Sequence, residues 1–221
     1  MLIVEIIKPM TYLNGIINNN NIFTNGENME KIKLYLLSTS SKTFEQISTS
    51  MTLTPEEERI INKASTEDRR KERLASLYLK KKYIGEYEIG EFGKPIAKHI
   101  YFNISHTKGL VILGTCKDVP IGVDVEYIRP INPRLKKAYF HGEDNADDLE
   151  FFNIWTNKES LLKCVGIGLN KDSDEYIELP DEALRRHLTG ERRCETFKHG
   201  DYVISITLNT SEPFEIEKIE L

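Results

Sequence analysis

Three short apolar runs, Ile100 to Ser105, Leu110 to Cys116 and Ile121 to Tyr127, follow one another with only the turns His106-Thr107-Lys108-Gly109 and Lys117-Asp118-Val119-Pro120 between them. Runs of this length, punctuated by Gly, Pro and Asp, read as strands, so any fold open to this chain must hold strands at the middle of its sequence. Helices are predicted on both sides. Thr54, Pro55 and Glu57 supply an N-cap, a proline at the first helical position and a capping-box acid for a short helix through Ile60 and Ile61. A longer helix is predicted from near Thr66 to about Ile84, with Leu74, Leu77 and Tyr78 as its apolar stripe and Gly85 to end it. Further on, Phe151 to Val165 reads as a helix stopped by Gly166 and Gly168, and Tyr202 to Leu208 and Phe214 to Ile219 read as strands. The mixture predicts the α+β class.

The segment from Asn14 to Asn28 holds four consecutive asparagines and has little to bury, so residues 1–28 are expected to be a mobile extension. The domain is expected to begin near Met29, where Ile32, Leu34 and Leu36 alternate as in a half-buried strand. A faint internal echo follows: Val111-Ile112, Thr115 and Pro120 before an alternating run are matched by Val203-Ile204, Thr207 and Pro213 before another. Two similar halves, 29–120 and 121–221, are therefore expected.

Composition narrows the function classes. Apolar residues make up 39% and charged residues 29% of the 221, which excludes wholesale disorder. The formal charge of −5 gives no general pull toward nucleic acid or an anionic membrane, so neither partner is expected. An anionic ligand would have to meet a local basic patch, and one is present: Lys63 to Lys82 holds eight basic and three acidic residues, with Arg69, Arg73 and Lys80 on one helix side. Cys116, Cys164 and Cys194 are scattered and odd in number, which fits a reducing, cytoplasmic setting better than a disulfide framework or a zinc site. Met1 to Leu13 reads poorly as a secretion signal, and no run approaches the ~20 apolar residues of a membrane span.

Three elements carry candidate chemistry. In Gly122-Val123-Asp124-Val125-Glu126 the alternation sends Asp124 and Glu126 to the face opposite Val123 and Val125, about 7 Å apart along the strand. Such a pair is half of an oxygen-ligand magnesium site, or simply a solvated acidic face. In Trp155-Thr156-Asn157-Lys158-Glu159-Ser160-Leu161-Leu162-Lys163, Glu159 and Lys163 lie one helical turn apart, so an acid and a base project from one face, which taken alone is most often a surface ion pair. In Asn103-Ile104-Ser105-His106-Thr107 a hydroxyl and an imidazole could donate to a phosphate, although a lone turn histidine is commonly surface decoration. The other histidines lack metal-ligand spacing, and no G-x-S-x-G elbow supports a serine hydrolase.

Taken in order, Gly93-Lys94-Pro95, Asn103-Ile104-Ser105-His106, Gly122-Val123-Asp124-Val125-Glu126 and Trp155-Thr156-x-Lys158-Glu159-Ser160 with Lys163 and Gly166-x-Gly168-Leu169 resemble the motif series of the 4′-phosphopantetheinyl transferases, specifically the long, pseudo-dimeric Sfp type. The resemblance spans about Met29 to the C-terminus, with the specific residues between Arg73 and Leu169. It implies two α/β halves related by a pseudo-twofold axis, an active site between them, and a monomer. The implied reaction is transfer of the 4′-phosphopantetheine arm of coenzyme A to a serine of an apo acyl or peptidyl carrier protein. That reaction is magnesium-dependent and releases adenosine 3′,5′-bisphosphate.

By the same resemblance Asp124, Glu126 and Glu159 would bind magnesium, Glu159 would help deprotonate the carrier serine, and Lys163 would assist at the leaving phosphate. Ser105 and His106 would hold the pyrophosphate, Lys94 the nucleotide end, and Arg73 the 3′-phosphate. Thr107 stands where many relatives carry serine, and the short acidic connection His141 to Asp148 falls in a region near the family's carrier-docking surface. Two rival readings are a non-catalytic module that binds coenzyme A or a carrier protein, and a magnesium-dependent phosphohydrolase.

Overall fold

The computed structural model describes residues 29–90, 93–134, 147–166 and 192–221. Its first strand, β1 (Glu30–Ser38), shows how the layers are built. Ile32, Leu34 and Leu36 join one apolar cluster while Tyr35 and Leu37 join another, so the period of two buries both faces of the strand. The alternation expected there gives way to continuous burial from Leu34 to Leu37 because there is a layer on each side.

Helices α1 (Phe44–Ser48) and α2 (Pro55–Asn62) begin with capping boxes at Thr43 and Thr54. Helix α3 (Glu67–Tyr83) is capped by the Thr66 hydroxyl and buries Leu74, Ala75 and Leu79. The short pair β2 (Glu88–Ile89) and β3 (Pro95–Ile96) leads into β4 (Tyr101–Thr107), β5 (Leu110–Cys116) and β6 (Ile121–Tyr127). Helix α4 (Asp148–Val165) follows, then β7 (Arg193–His199), β8 (Tyr202–Leu208) and β9 (Phe214–Glu220). The long second helix, the three central strands and the two final strands fall close to where they are predicted, while α4 starts earlier, with Asp147 as its N-cap.

Among the described residues the strands form a four-stranded sheet in the order β4-β5-β1-β9 and a three-stranded sheet β6-β8-β7, with β2 and β3 as a separate pair. Apolar side chains from the facing sheets, including Leu34, Ile112, Val123 and Ile206, make a core between them. Helix α3 covers the outer face of the first sheet through Leu37, Leu74, Leu79, Val111 and Leu113. Helix α4 covers the outer face of the second, with Phe151, Phe152, Ile154 and Val203 at one end. The result is a helix, sheet, sheet, helix sandwich of the α+β class. Strand β9 pairs in parallel with β1, so the last described strand completes the sheet to which the first described strand belongs. The expectation for residues 1–28 lies outside the described residues.

Candidate active site

On β8, Ile204, Ile206 and Leu208 point into the core, and Ser205 and Thr207 face α4. On β6, Ile121, Val123 and Val125 point into the core, and Gly122 and Asp124 face α4. A helix normally packs on a sheet with apolar residues, but here the contact is polar. Thr156 and Ser160, one turn apart, meet the hydroxyls of Ser205 and Thr207 at 2.7 and 2.8 Å. All four are buried and paired, so their desolvation is offset. Gly122 permits the approach: a Cβ there would lie 2.0 Å from the Ser160 carbonyl oxygen and 2.3 Å from the Cys164 nitrogen. The acidic face of the strand is therefore covered by α4, not solvated, and Asp124 is only 4% exposed.

Strand β4 joins this face from the other sheet. Its alternate side chains Asn103, Ser105 and Thr107 all bond to β6 or its carboxylates. Asn103 Oδ1 accepts from the Val123 N–H at 3.0 Å. Ser105 Oγ donates to Asp124 Oδ1 at 2.8 Å. Thr107 Oγ1 accepts from the Tyr127 N–H and donates to Glu126 Oε2, both at 3.3 Å. Two sheet edges are thus stitched by side chains in place of a backbone ladder.

Lys163 crosses from α4 to complete the cluster. Its Nζ donates to Asp124 Oδ1 at 2.6 Å and to Ser105 Oγ at 2.9 Å. Glu159, one turn earlier, is buried beside it. Burial, aided by repulsion from Asp124 and Glu126, outweighs the pull of Lys163 and raises the Glu159 carboxyl to about 7. Asp124 Oδ2 and Glu159 Oε1 are both buried without a hydrogen-bond partner among the described residues. Two such oxygens on carboxylates with no sulfur or imidazole beside them are what a hard divalent cation would satisfy.

The expected trio of Asp124, Glu126 and Glu159 is not drawn together as ligands of one ion. Among the described residues no three His, Cys, Asp or Glu side chains are grouped closely enough for that. Two of the three carboxylates already face cations. The Lys163 ammonium lies against Asp124, and Glu126 Oε2 accepts from Arg129 Nη1 at 2.9 Å as well as from Thr107.

The remaining expected residues occupy separate places. Ser105 is buried in the cluster, whereas His106 is on the opposite side of β4, exposed, with Nδ1 3.3 Å from Glu72 Oε2. Lys94 is half-buried and its ammonium reaches the last turn of α4, where burial holds it below its usual range. Beside it, Lys94, Pro95, Phe102, Ile121 and Cys164 line a largely apolar cleft of about 240 Å³. Arg73 is exposed and donates to the Ile60 carbonyl at 2.6 Å, tying α3 to the end of α2. Other cations of the basic helix are also engaged: Lys81 pairs with Glu57, and Lys80 lies over the Tyr87 ring.

Sequence reasoning missed Asn103, Gly122 and Arg129 as contributors. The signal for Asn103 was present in the period-two array with Ser105 and Thr107, but nothing in one sequence tells which strand edge such an array meets. Gly168 and Leu169, and the connection from 141 to 146, lie outside the described residues. Asp147 and Asp148 from the end of that acidic stretch are visible, accepting from the N–H groups of Glu150 and Ile131 where α4 begins.

A family model described as the 4′-phosphopantetheinyl transferase superfamily matches residues 120–207, from the start of β6 to the end of β8. That stretch contains Asp124, Glu126, Glu159 and Lys163. Residues 120–207 are thus similar to the 4′-phosphopantetheinyl transferase superfamily, and the relatives that the chain matches include Sfp. It is 30% identical over 112 residues to the 4′-phosphopantetheinyl transferase psf-1 of Bacillus pumilus, covering 40% of this chain and 48% of the relative. It is 31% identical over 121 residues to ffp of Bacillus subtilis, covering 49% and 51%. With Sfp of Bacillus subtilis strain 168 it shares 32% over 114 residues, covering 41% and 50%. The chain spans about half the length of the curated relatives it matches. Among the described residues, no helix is long and apolar enough to cross a membrane.

Proposed function

We propose that this protein transfers the 4′-phosphopantetheine arm of coenzyme A to a serine of an apo acyl or peptidyl carrier protein, with magnesium, releasing adenosine 3′,5′-bisphosphate. The observation that carries the reading is the pair of unpartnered buried oxygens, Asp124 Oδ2 and Glu159 Oε1, beside Lys163 in the matched segment. A structural polar network would be expected to satisfy both.

In this reading Asp124 and Glu159 hold the cation, with Glu126 directly or through water. When bound, magnesium offsets the charge of the pyrophosphate. The serine oxygen attacks the phosphorus that bears the pantetheine arm, and the bond from that phosphorus to the bridging oxygen breaks. The nucleotide bisphosphate leaves with that oxygen, and the serine proton passes to Glu159, directly or through water. Lys163, partly exposed, meets the leaving phosphate. His106 and Ser105 serve the pyrophosphate and Arg73 the 3′-phosphate, so Arg73→Ala should weaken coenzyme A more than 3′-dephospho-coenzyme A. Equal losses in calorimetric titration would remove Arg73 from that role.

The protein is proposed to act as a cytoplasmic monomer of two pseudo-symmetric halves, 29–120 and 121–221. Support for the halves comes from β5 and β8, the two echo strands. Each has a neighbour on both sides, and each follows an antiparallel hairpin partner.

Intact-mass spectrometry of an apo carrier protein incubated with this protein, coenzyme A and magnesium tests the proposal. The expected result is a gain of one phosphopantetheine group, abolished by EDTA. No gain across acyl, peptidyl and aryl carriers with coenzyme A still bound would favour the non-catalytic module. Nucleotide released without a carrier would point to the phosphohydrolase.

A further inference from the structure

Lys94 is about seventy residues from the end of α4 in sequence and touches it there. Its ammonium donates two 2.8 Å bonds, to the carbonyls of Lys163 and Cys164. An α-helix leaves its last four carbonyls without intrahelical partners and carries negative partial charge at that end. In α4 the Leu162 carbonyl accepts from the Gly166 N–H, and the next two carbonyls are those held by Lys94. The lysine stem also fits the glycine that ends the helix. Gly166 has φ +88°, and a Cβ there would lie 3.2 Å from Lys94 Cδ.

The lysine is itself anchored. Its carbonyl accepts from the Gly90 N–H at 2.8 Å, and the following Pro95 and Ile96 pair with β2. Lys94, so anchored, grips the backbone of the residue whose side chain reaches Asp124 and Ser105.

We infer that Lys94 is a positioning residue: it caps the C-terminus of α4 and so fixes the turn that aims Lys163 at the carboxylate cluster. The kinetic part of this inference rests on the transfer reading of the same site. Its structural part does not.

Hydrogen exchange of the full chain without ligands reads the cap directly. In Lys94→Met, which keeps the stem and removes the charge, exchange of the amides at 163–166 should speed up about tenfold or more while the start of α4 is unchanged. Lys94→Arg, which keeps donors and charge, should restore most of the protection. In the transfer assay Lys94→Met should lower kcat about tenfold or more, as a misplaced reacting group does, with KM for coenzyme A within about twofold. Lys94→Arg should recover much of that loss.

Unchanged exchange in Lys94→Met would overturn the cap, whatever the kinetics. A raised KM with unchanged kcat would overturn the positioning role and return Lys94 to the nucleotide. If Lys94→Met unfolds globally, exchange rises along the whole chain and Lys94→Arg carries the test: no protection at 163–166 in that folded variant would contradict the inference. A wild type that transfers nothing would sink the transfer reading alone, leaving exchange to decide the cap.

Discussion

Under α3 the first sheet presents Leu37, Val111 and Leu113 to Leu74 and Leu79. Under α4 the second presents Ser205, Thr207, Gly122 and Asp124 to Thr156, Ser160, Glu159 and Lys163. Both are helix-on-sheet contacts, yet one is a closed apolar layer and the other a polar seam with two carboxylate oxygens unpartnered. The first layer stabilises by burial alone, at about 25 cal/mol per Å² of apolar surface. The second must satisfy each polar group locally, and the groups it leaves unsatisfied cost stability that a bound cation would return. The closed apolar layer and the candidate site thus lie on opposite sides of one molecule.

The sharpest way to break this contrast is Glu159→Gln. Turnover should fall roughly 100- to 10,000-fold, the range of a lost general base, while thermal unfolding shows no loss of stability. A variant that unfolds early would make Glu159 a structural residue. Leu79→Ala is its counterpart on the apolar side. It should cost roughly 2 to 5 kcal/mol by chemical denaturation, with turnover per folded molecule unchanged. If that rate fell as steeply, the two layers would not be separable.

A pH series sharpens the contrast further. Because the folded Glu159 carboxyl lies near 7 against an ordinary 4.5, the stability it supports is complete below 4.5 and lost as pH rises to about 7. In EDTA, wild type should therefore lose roughly 3 kcal/mol relative to Glu159→Gln across that window, and no more above it. Parallel stability curves would mean that Glu159 is not destabilised when ionised. Gly122→Ala should cost roughly 1 to 3 kcal/mol through overpacking, and turnover should fall with it because α4 must lift from β6. A neutral result on both counts would show that the close approach is not needed. Thr107→Val should cost about 1 kcal/mol, by removing an acceptor from the Tyr127 N–H and a donor to Glu126. Wild-type stability there would leave the stitch between sheets to Asn103 and Ser105.

The apolar side was legible because burial writes itself as periodicity. Ile32, Leu34 and Leu36, the β5 run and the α3 stripe all announce their elements. Strand β7 was not, since Arg193–His199 is an edge strand with polar or half-buried side chains and no continuous apolar face. Nor was the pairing of β9 with β1, which depends on contacts across the length of the chain. In the site, the alternation of Asp124 and Glu126 was readable, but their cover was not. Whether an acidic strand face meets water or a helix depends on Gly122, whose missing side chain looks like any other strand glycine. Lys94 shows the same limit: the motif named the residue, and only the folded chain shows its ammonium on the carbonyls of α4.

The most direct test of the central claim sets wild type, Glu159→Gln and Leu79→Ala side by side in the intact-mass assay, with coenzyme A, magnesium and an apo carrier protein, at a temperature where all three are folded. Wild type and Leu79→Ala should add one phosphopantetheine group at similar rates while Glu159→Gln adds almost none. Conversion by Glu159→Gln at the wild-type rate, or equal loss in Leu79→Ala, would contradict that claim.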